Sequence, residues 1–172
     1  MRNRMYAGLI AVMALTVFMV QAQQQSKDTK SMSHEEMNKR GDHVMGFDHT
    51  KTTHHFRLTP QGGAIEITAN AAEDTASRDQ IRSHLGHISK MFADGNFNAP
   101  MLIHEQTPPG VPVMKKLRSE IEYRFEETER GATIRISTSN SEALQAIHEF
   151  LRFQIKEHQT GDSLEVDKTG RN

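Results

Sequence analysis

No cysteine occurs among the 172 residues. Disulfides, thiolate metal sites and lipid anchoring through an N-terminal cysteine are therefore excluded, and a packed core must supply the stability. Tryptophan is absent too, and two tyrosines with eight phenylalanines are the only other aromatics. Neither sign of charge is in excess: 21 Lys and Arg face 22 Asp and Glu, for a net charge of −1. Nothing in that balance draws the chain to nucleic acid or to an anionic membrane. The sequence contains no GxxxxGK[ST] phosphate loop, no GxGxxG turn, no GxSxG elbow and no HExxH helix. Nucleotide chemistry and the common hydrolase signatures have no support.

Long apolar runs are missing except at the start, where Tyr6 to Val20 is apolar or small. That is shorter than the roughly 20 residues a membrane span requires. Arg2 and Arg4 precede the run, and Val20 and Ala22 hold the −3 and −1 positions of a cleavage site before Gln23. Residues 1–22 are predicted to be a secretory signal peptide. Its removal leaves 172 − 22 = 150 residues carrying 19 basic and 22 acidic side chains, a charge of −3. A periplasmic or secreted protein, free of the membrane after cleavage, is expected.

Residues 23–45 are expected to be a flexible leader with a short helix. Gln23 to Met32 is too polar to order itself. The capping-box spacing of Ser33-His34-Glu35-Glu36 predicts a helix from His34 to Arg40, with Gly41 as its stop. Residues 46–162 form the single domain, and 163–172 are expected to be a disordered tail.

The domain reads as a duplication. Thr52–Thr59 and Ala64–Asn70 alternate in the strand manner around Pro60-Gln61-Gly62-Gly63, and a helix from Asp74 to Ala93 follows. Ser119–Glu127 and Ala132–Ser139 alternate around Glu129-Arg130-Gly131, before a helix from Ser141 to His158. Aligning Ile65-Glu66-Ile67-Thr68 with Ile134-Arg135-Ile136-Ser137 places Phe56 opposite Phe125. The predicted fold class is α+β, a strand-strand-helix unit written twice to give a four-stranded antiparallel sheet with two helices on one face. Asp94 to Pro112, rich in Pro and Gly, is predicted to be an irregular connector.

Histidine is what the chain has in quantity, ten residues. On the first strand His54 shares the inward face with Phe56 and Leu58, opposite Tyr123 of the second half, while His55 points outward beside Arg57. On the first helix His84, His87 and Met91 run along one flank of the stripe Ile81, Leu85, Ile88, Phe92. His49 lies in the loop before the strand, next to Asp48. Imidazole and thioether suit copper, and imidazole alone suits zinc, so His49, His54, His84, His87 and Met91 are the candidate metal ligands, with Asp48 as the acceptor orienting one ring. The same histidines also read as ordinary polar residues at the core boundary. On the second helix Phe150 and Phe153 fall outside the stripe Leu144, Ile147, Leu151, Ile155; either the connector covers them or a partner does. His148 beside Glu149 reads as an ordinary helix residue.

Three functional readings follow. The first is a non-catalytic exported protein binding a copper or zinc ion through a histidine cluster. The second is a metal-free interaction module, gripping another periplasmic protein with exposed phenylalanines and the PPGVP connector. The third is a small hydrolase or transferase in which a His/Asp pair serves Ser83 or Ser89; no local signature assigns those roles.

The strings MGFDHTKTTHHF, GG-IEI-AN, DTASRDQIRSHLGHI, FNAPMLIH, PPGVPVMKKL and ALQAIHEFLRFQIKEHQTGD together resemble a family of short exported bacterial proteins, over Met45 to Asp162. The family has no established function, so the resemblance implies export and assigns no activity either way. Some of its members carry the label aspartate carbamoyltransferase. The residues do not support that label, because the nearest string to the enzyme's Ser-Thr-Arg-Thr phosphate turn is Ser137-Thr138-Ser139-Asn140, which has no arginine.

Overall fold

The computed structural model describes residues 35–168. The predicted signal peptide, the start of the leader with its Ser33 cap and the last four residues lie outside them. The chain divides into a unit ending at Met37 and one beginning at Asn38, and the fold below is that of the second.

Helix α1 covers residues 35–45 and is followed by a 3-10 turn, His49–Lys51. Strands β1 (Thr52–Thr59) and β2 (Gly62–Ala69) lead into α2 (Thr75–Ala93). Two short helices follow, α3 (Asn98–His104) and α4 (Val111–Lys116), then β3 (Ile121–Thr128), β4 (Gly131–Thr138) and α5 (Ser141–His158). Asp74 caps α2 by accepting from the Ser77 N–H, and Asn140 caps α5 by accepting from Glu142 and Ala143. Each cap meets backbone donors that the first helical turn leaves without partners.

The four strands form one antiparallel sheet in the order β1-β2-β4-β3. The duplication is visible in its register. Phe56 pairs with Ile65, Phe125 pairs with Ile134, and the two isoleucines pair with each other across the central strands. Gly62 faces Ser137 while Thr68 faces Gly131, so the pairing repeats about a local two-fold between Ile65 and Ile134. Gly62 and Gly131 are mates under it, and a Cβ on either would collide with a carbonyl oxygen of the facing strand, Ile136 or Ile67. Both are glycine because the central strands approach too closely there for a side chain.

Both long helices cover the same sheet face, but they cross over. α2 packs mainly on β3 and β4, and α5 mainly on β1 and β2. Phe56, Ile65, Ile67, Ile134 and Ile136 from the sheet meet Ile81, Leu85, Ile88, Leu151 and Ile155 from the helices in one buried core. Tyr123 and Phe125 on the edge strand β3 are only partly buried, whereas Phe56 on the opposite edge strand β1 is buried.

Three expectations are corrected. Helix α1 continues through residue 45 instead of stopping at Gly41. A glycine inside a helix costs only about 1 kcal/mol, and α1 is held to the domain by Arg40, whose Nε donates to the Ile103 carbonyl at 3.0 Å. The connector is not irregular, because it folds into α3 and α4. Its Phe97 is fully buried in an aromatic cluster, with ring centroids 4.4 Å from Phe92 and 6.1 Å from Phe150. Burying one such ring is worth about 2–3 kcal/mol, enough to order a short segment. Finally, residues 163–168 are docked: the Asp167 N–H donates to the Leu58 carbonyl of β1 and Arg152 of α5 donates to the Leu164 carbonyl.

Candidate functional site

His54 leaves β1 on the helix-covered face, as its alternation with Phe56 and Leu58 requires. It lies in a small apolar pocket of about 70 Å³ between the sheet, α2, α3 and α5. Three more histidines line that pocket: His84 from the middle of α2, and His104 and His158 from the last residues of α3 and α5. The ring of His158 stands 5.8 Å from His54, nearly parallel at 7°, and 5.1 Å from His104, nearly perpendicular at 83°. Phe47 closes the other side, 6.1 Å from His54 and 5.6 Å from His84.

The hydrogen bonds are incomplete in a specific way. His104 Nε2 lies 3.1 Å from Gln154 Oε1. An amide oxygen accepts, so this contact places the ring proton on Nε2 and leaves a lone pair on Nδ1. That Nδ1 is buried and meets no partner, and the same holds for His54 Nε2 and the Gln154 amide nitrogen. Buried polar atoms are rarely left so, because each costs about 1–3 kcal/mol.

Burial also fixes the charge state. Desolvation is the main cause that pushes His54 and His84 down from the ordinary histidine value to about 4, with repulsion from neighbouring histidines adding to it. His104 is lowered by the same desolvation, partly offset by its bond to Gln154. Uncharged imidazoles in an apolar wall are the result at neutral pH.

Of the five ligands expected from sequence, this pocket takes in His54 and His84. His49 is not among its lining residues; its Nδ1 sits 2.9 Å from both carboxylate oxygens of Asp42. Asp48 does not orient a ring, because it accepts from the backbone and hydroxyl of Thr50 and caps the 3-10 turn. His87 is exposed, and Met91 is packed, partly buried, against the core. The pocket's other members escaped the sequence reading. His158 does continue the α5 stripe from Leu151 and Ile155 at helical spacing, which is a usable signal. His104 and Gln154 carried none, because a short connector helix decides where they point.

Ring positions gather without the nitrogens converging on a point. Among the described residues, the only three His, Asp or Glu ligand atoms within 4.8 Å of one another are those of Asp42, Asp48 and His49, all with partners nearby. A larger hollow of about 230 Å³ opens on the opposite sheet face, lined by Gln61, Arg124, Arg135 and Asp167. Arg124 and Arg135 share one carboxylate there, Glu126, at 3.3 and 2.8 Å.

Phe150 and part of the connector, which supported the interaction reading, are packed within the fold. Phe150 is buried against Phe92 and Phe97, and Pro108 and Val111 of the PPGVP segment are buried too. Gly110 passes so near α5 that a Cβ would collide with the Ala146 carbonyl. Ser83 is exposed, and the Ser89 hydroxyl reaches only the Tyr123 carbonyl.

No family model, no curated protein and no solved structure matches this chain.

Proposed function

We propose that this is an exported, non-catalytic protein that takes up one copper or zinc ion in the histidine pocket, with His54 Nε2 and His104 Nδ1 as primary donors and His84 and His158 completing the set. One observation carries the reading: His104 donates its Nε2–H to Gln154, which leaves its buried Nδ1 bare, and its ring lines a pocket shared with three other imidazoles. Metal-ligating histidines have this arrangement, in which an outer acceptor fixes the tautomer and raises the basicity of the ligating nitrogen. Neutral imidazole is the ligating form, and the apolar wall keeps it neutral.

Two further features agree. Imidazoles sharing a tetrahedral ion at about 2.0–2.1 Å have ring centroids roughly 5 Å apart, close to the 5.1 and 5.8 Å separating His158 from its neighbours. The near-parallel rings of His54 and His158 must rotate for both to bind. In addition, His158 closes the C-terminus of the 18-residue α5, the negative pole of its dipole, which favours a cation.

Untagged protein purified from periplasm and titrated with Cu(II), Cu(I) and Zn(II) tests the reading. One ion per chain is expected, with nitrogen hyperfine structure in the Cu(II) spectrum. Gln154→Leu should weaken binding by about 10- to 100-fold through loss of the His104 tautomer. His54→Ala with His104→Ala should abolish stoichiometric binding, and His87→Ala should leave it intact. Binding that survives the double change, or that His87→Ala destroys equally, refutes the pocket as the site.

A further inference from the structure

The local two-fold makes the outer strands equivalent, yet their free edges are treated differently. On β1 the edge is occupied: Asp162 Oδ2 accepts from the Phe56 N–H at 2.9 Å, Asp162 Oδ1 lies 2.9 Å from His55 Nδ1, and the Asp167 N–H reaches the Leu58 carbonyl at 2.9 Å. On β3 the mates of Phe56 and Leu58 are Phe125 and Glu127. Pairing alternates across the ladder, so an outward Phe56 N–H implies an outward Phe125 N–H. Among the described residues, no hydrogen bond reaches that donor or the Glu127 carbonyl, and the contacts from α2 along this edge are Ser89 on the Tyr123 carbonyl, Arg82 on the Thr128 carbonyl and the Arg82–Glu127 ion pair at 3.1 Å. An open edge of this kind is a template for another strand.

The charges along β3 indicate which strand. Its solvent-facing residues are Glu122, Arg124 and Glu126, with Arg124 well exposed at 70%. A second copy of β3 laid antiparallel about a two-fold at Phe125 sets Arg124 opposite Glu126 of the copy, and Glu126 opposite Arg124. Shifting the axis to Arg124 would oppose Arg124 to itself and Glu122 to Glu126, which like-charge repulsion rejects. Shifting it to Tyr123 does oppose Arg124 to Glu122, but it shortens the paired stretch of β3 to residues 121–125 and sets Glu126 against Glu120 just beyond the strand. The Phe125-centred register pairs residues 122–128 of each strand, sets Arg124 against Glu126 twice, and leaves Glu122 opposite the neutral Thr128.

We infer that β3 is a homodimerisation edge, joining two chains through antiparallel β3 strands about a two-fold axis at Phe125 into one eight-stranded sheet. Because residues 162–167 occupy the β1 edge, β3 is the one free edge among the described residues, and an assembly through it closes at two copies instead of growing into a fibre. The interface uses neither the pocket nor its histidines.

Charge exchange tests this on the mature full-length chain by light scattering coupled to size exclusion. Wild type should run at twice the mass of one chain. Arg124→Glu alone sets Glu against Glu, and Glu126→Arg alone sets Arg against Arg; each should run as a monomer, with dimer affinity reduced about a hundredfold or more. An equimolar mixture of the two variants should recover the dimer mass, because each then faces its opposite. Far-UV circular dichroism of both variants checks that the domain stays folded. A monomeric wild type, a dimer untouched by either change, or folded variants whose mixture stays monomeric would overturn the proposal.

Discussion

His54 is an expensive residue to keep where it is. Its Nε2 is buried with no partner, and its ring is held uncharged by desolvation down to about pH 4. An unfolded chain protonates the same imidazole near pH 6.5, so between the two values the unfolded state binds more protons. Stability is unaffected above about pH 6.5 and falls as the pH drops toward 4. Each of His54 and His84 contributes a loss on the order of 3 kcal/mol at the limit, from a shift worth about 1.4 kcal/mol per unit. His54→Leu removes both burdens. The variant should be more stable than wild type in urea, by about 1 kcal/mol at pH 7.5 and by more at pH 5, while losing metal binding. A variant less stable at both pH values would show that the imidazole is part of the packing and not a retained functional group.

Among the elements, the C-terminal segment after α5 has the most specific attachment. Burial opposes ionisation of Asp162, but the Phe56 N–H, the Thr160 hydroxyl and the His55 ring together outweigh it and hold the carboxyl below its ordinary range. The attachment therefore stands above the usual carboxylate range and weakens as the pH falls through the lowered value. Asp162→Ala should cost about 1–2 kcal/mol and should speed amide exchange at Phe56 well before the rest of β1. Unchanged exchange at Phe56 would mean that the strap does not cover the edge in solution. Residues 163–172 were expected to be a disordered tail; of these, 163–168 follow Asp162 along the edge and are held by the Asp167 N–H on the Leu58 carbonyl and by Arg152 on the Leu164 carbonyl.

For residues 38–168 as one unit, the crossing of the helices governs cooperativity. Each strand pair is covered mainly by the helix of the other half, and Ile65 faces Ile134 at the centre. Neither half can bury its own sheet face, so the duplication predicts one folding unit and not two. Unfolding in urea should be a single transition, with the slowest amides of β2 and β4 reporting the same opening free energy in native-state exchange. Two separable transitions, or protection confined to one hairpin, would contradict the interlocked packing.

The local periodicities carried most of the architecture. Alternation around Pro60-Gln61 and Glu129-Arg130 defined both hairpins, and the stripes of α2 and α5 named their core faces, because side-chain direction in a strand or helix follows from spacing alone. The inward face of His54 was legible for that reason, and through it half of the pocket. What spacing could not supply is what comes from elsewhere in the chain to stand opposite. His104 and Gln154 meet across 50 residues, His55 and Asp162 across 107, and the helices exchange partners across the two-fold. The connector became α3 and α4 because Phe97 found Phe92 and Phe150, and that aromatic cluster carried His104 into the pocket. His49, adjacent to Asp48 in sequence, took Asp42 instead, since a side chain pairs with the nearest group in space. Local sequence determined the elements and their faces; long-range burial decided which faces, and which histidines, were brought together.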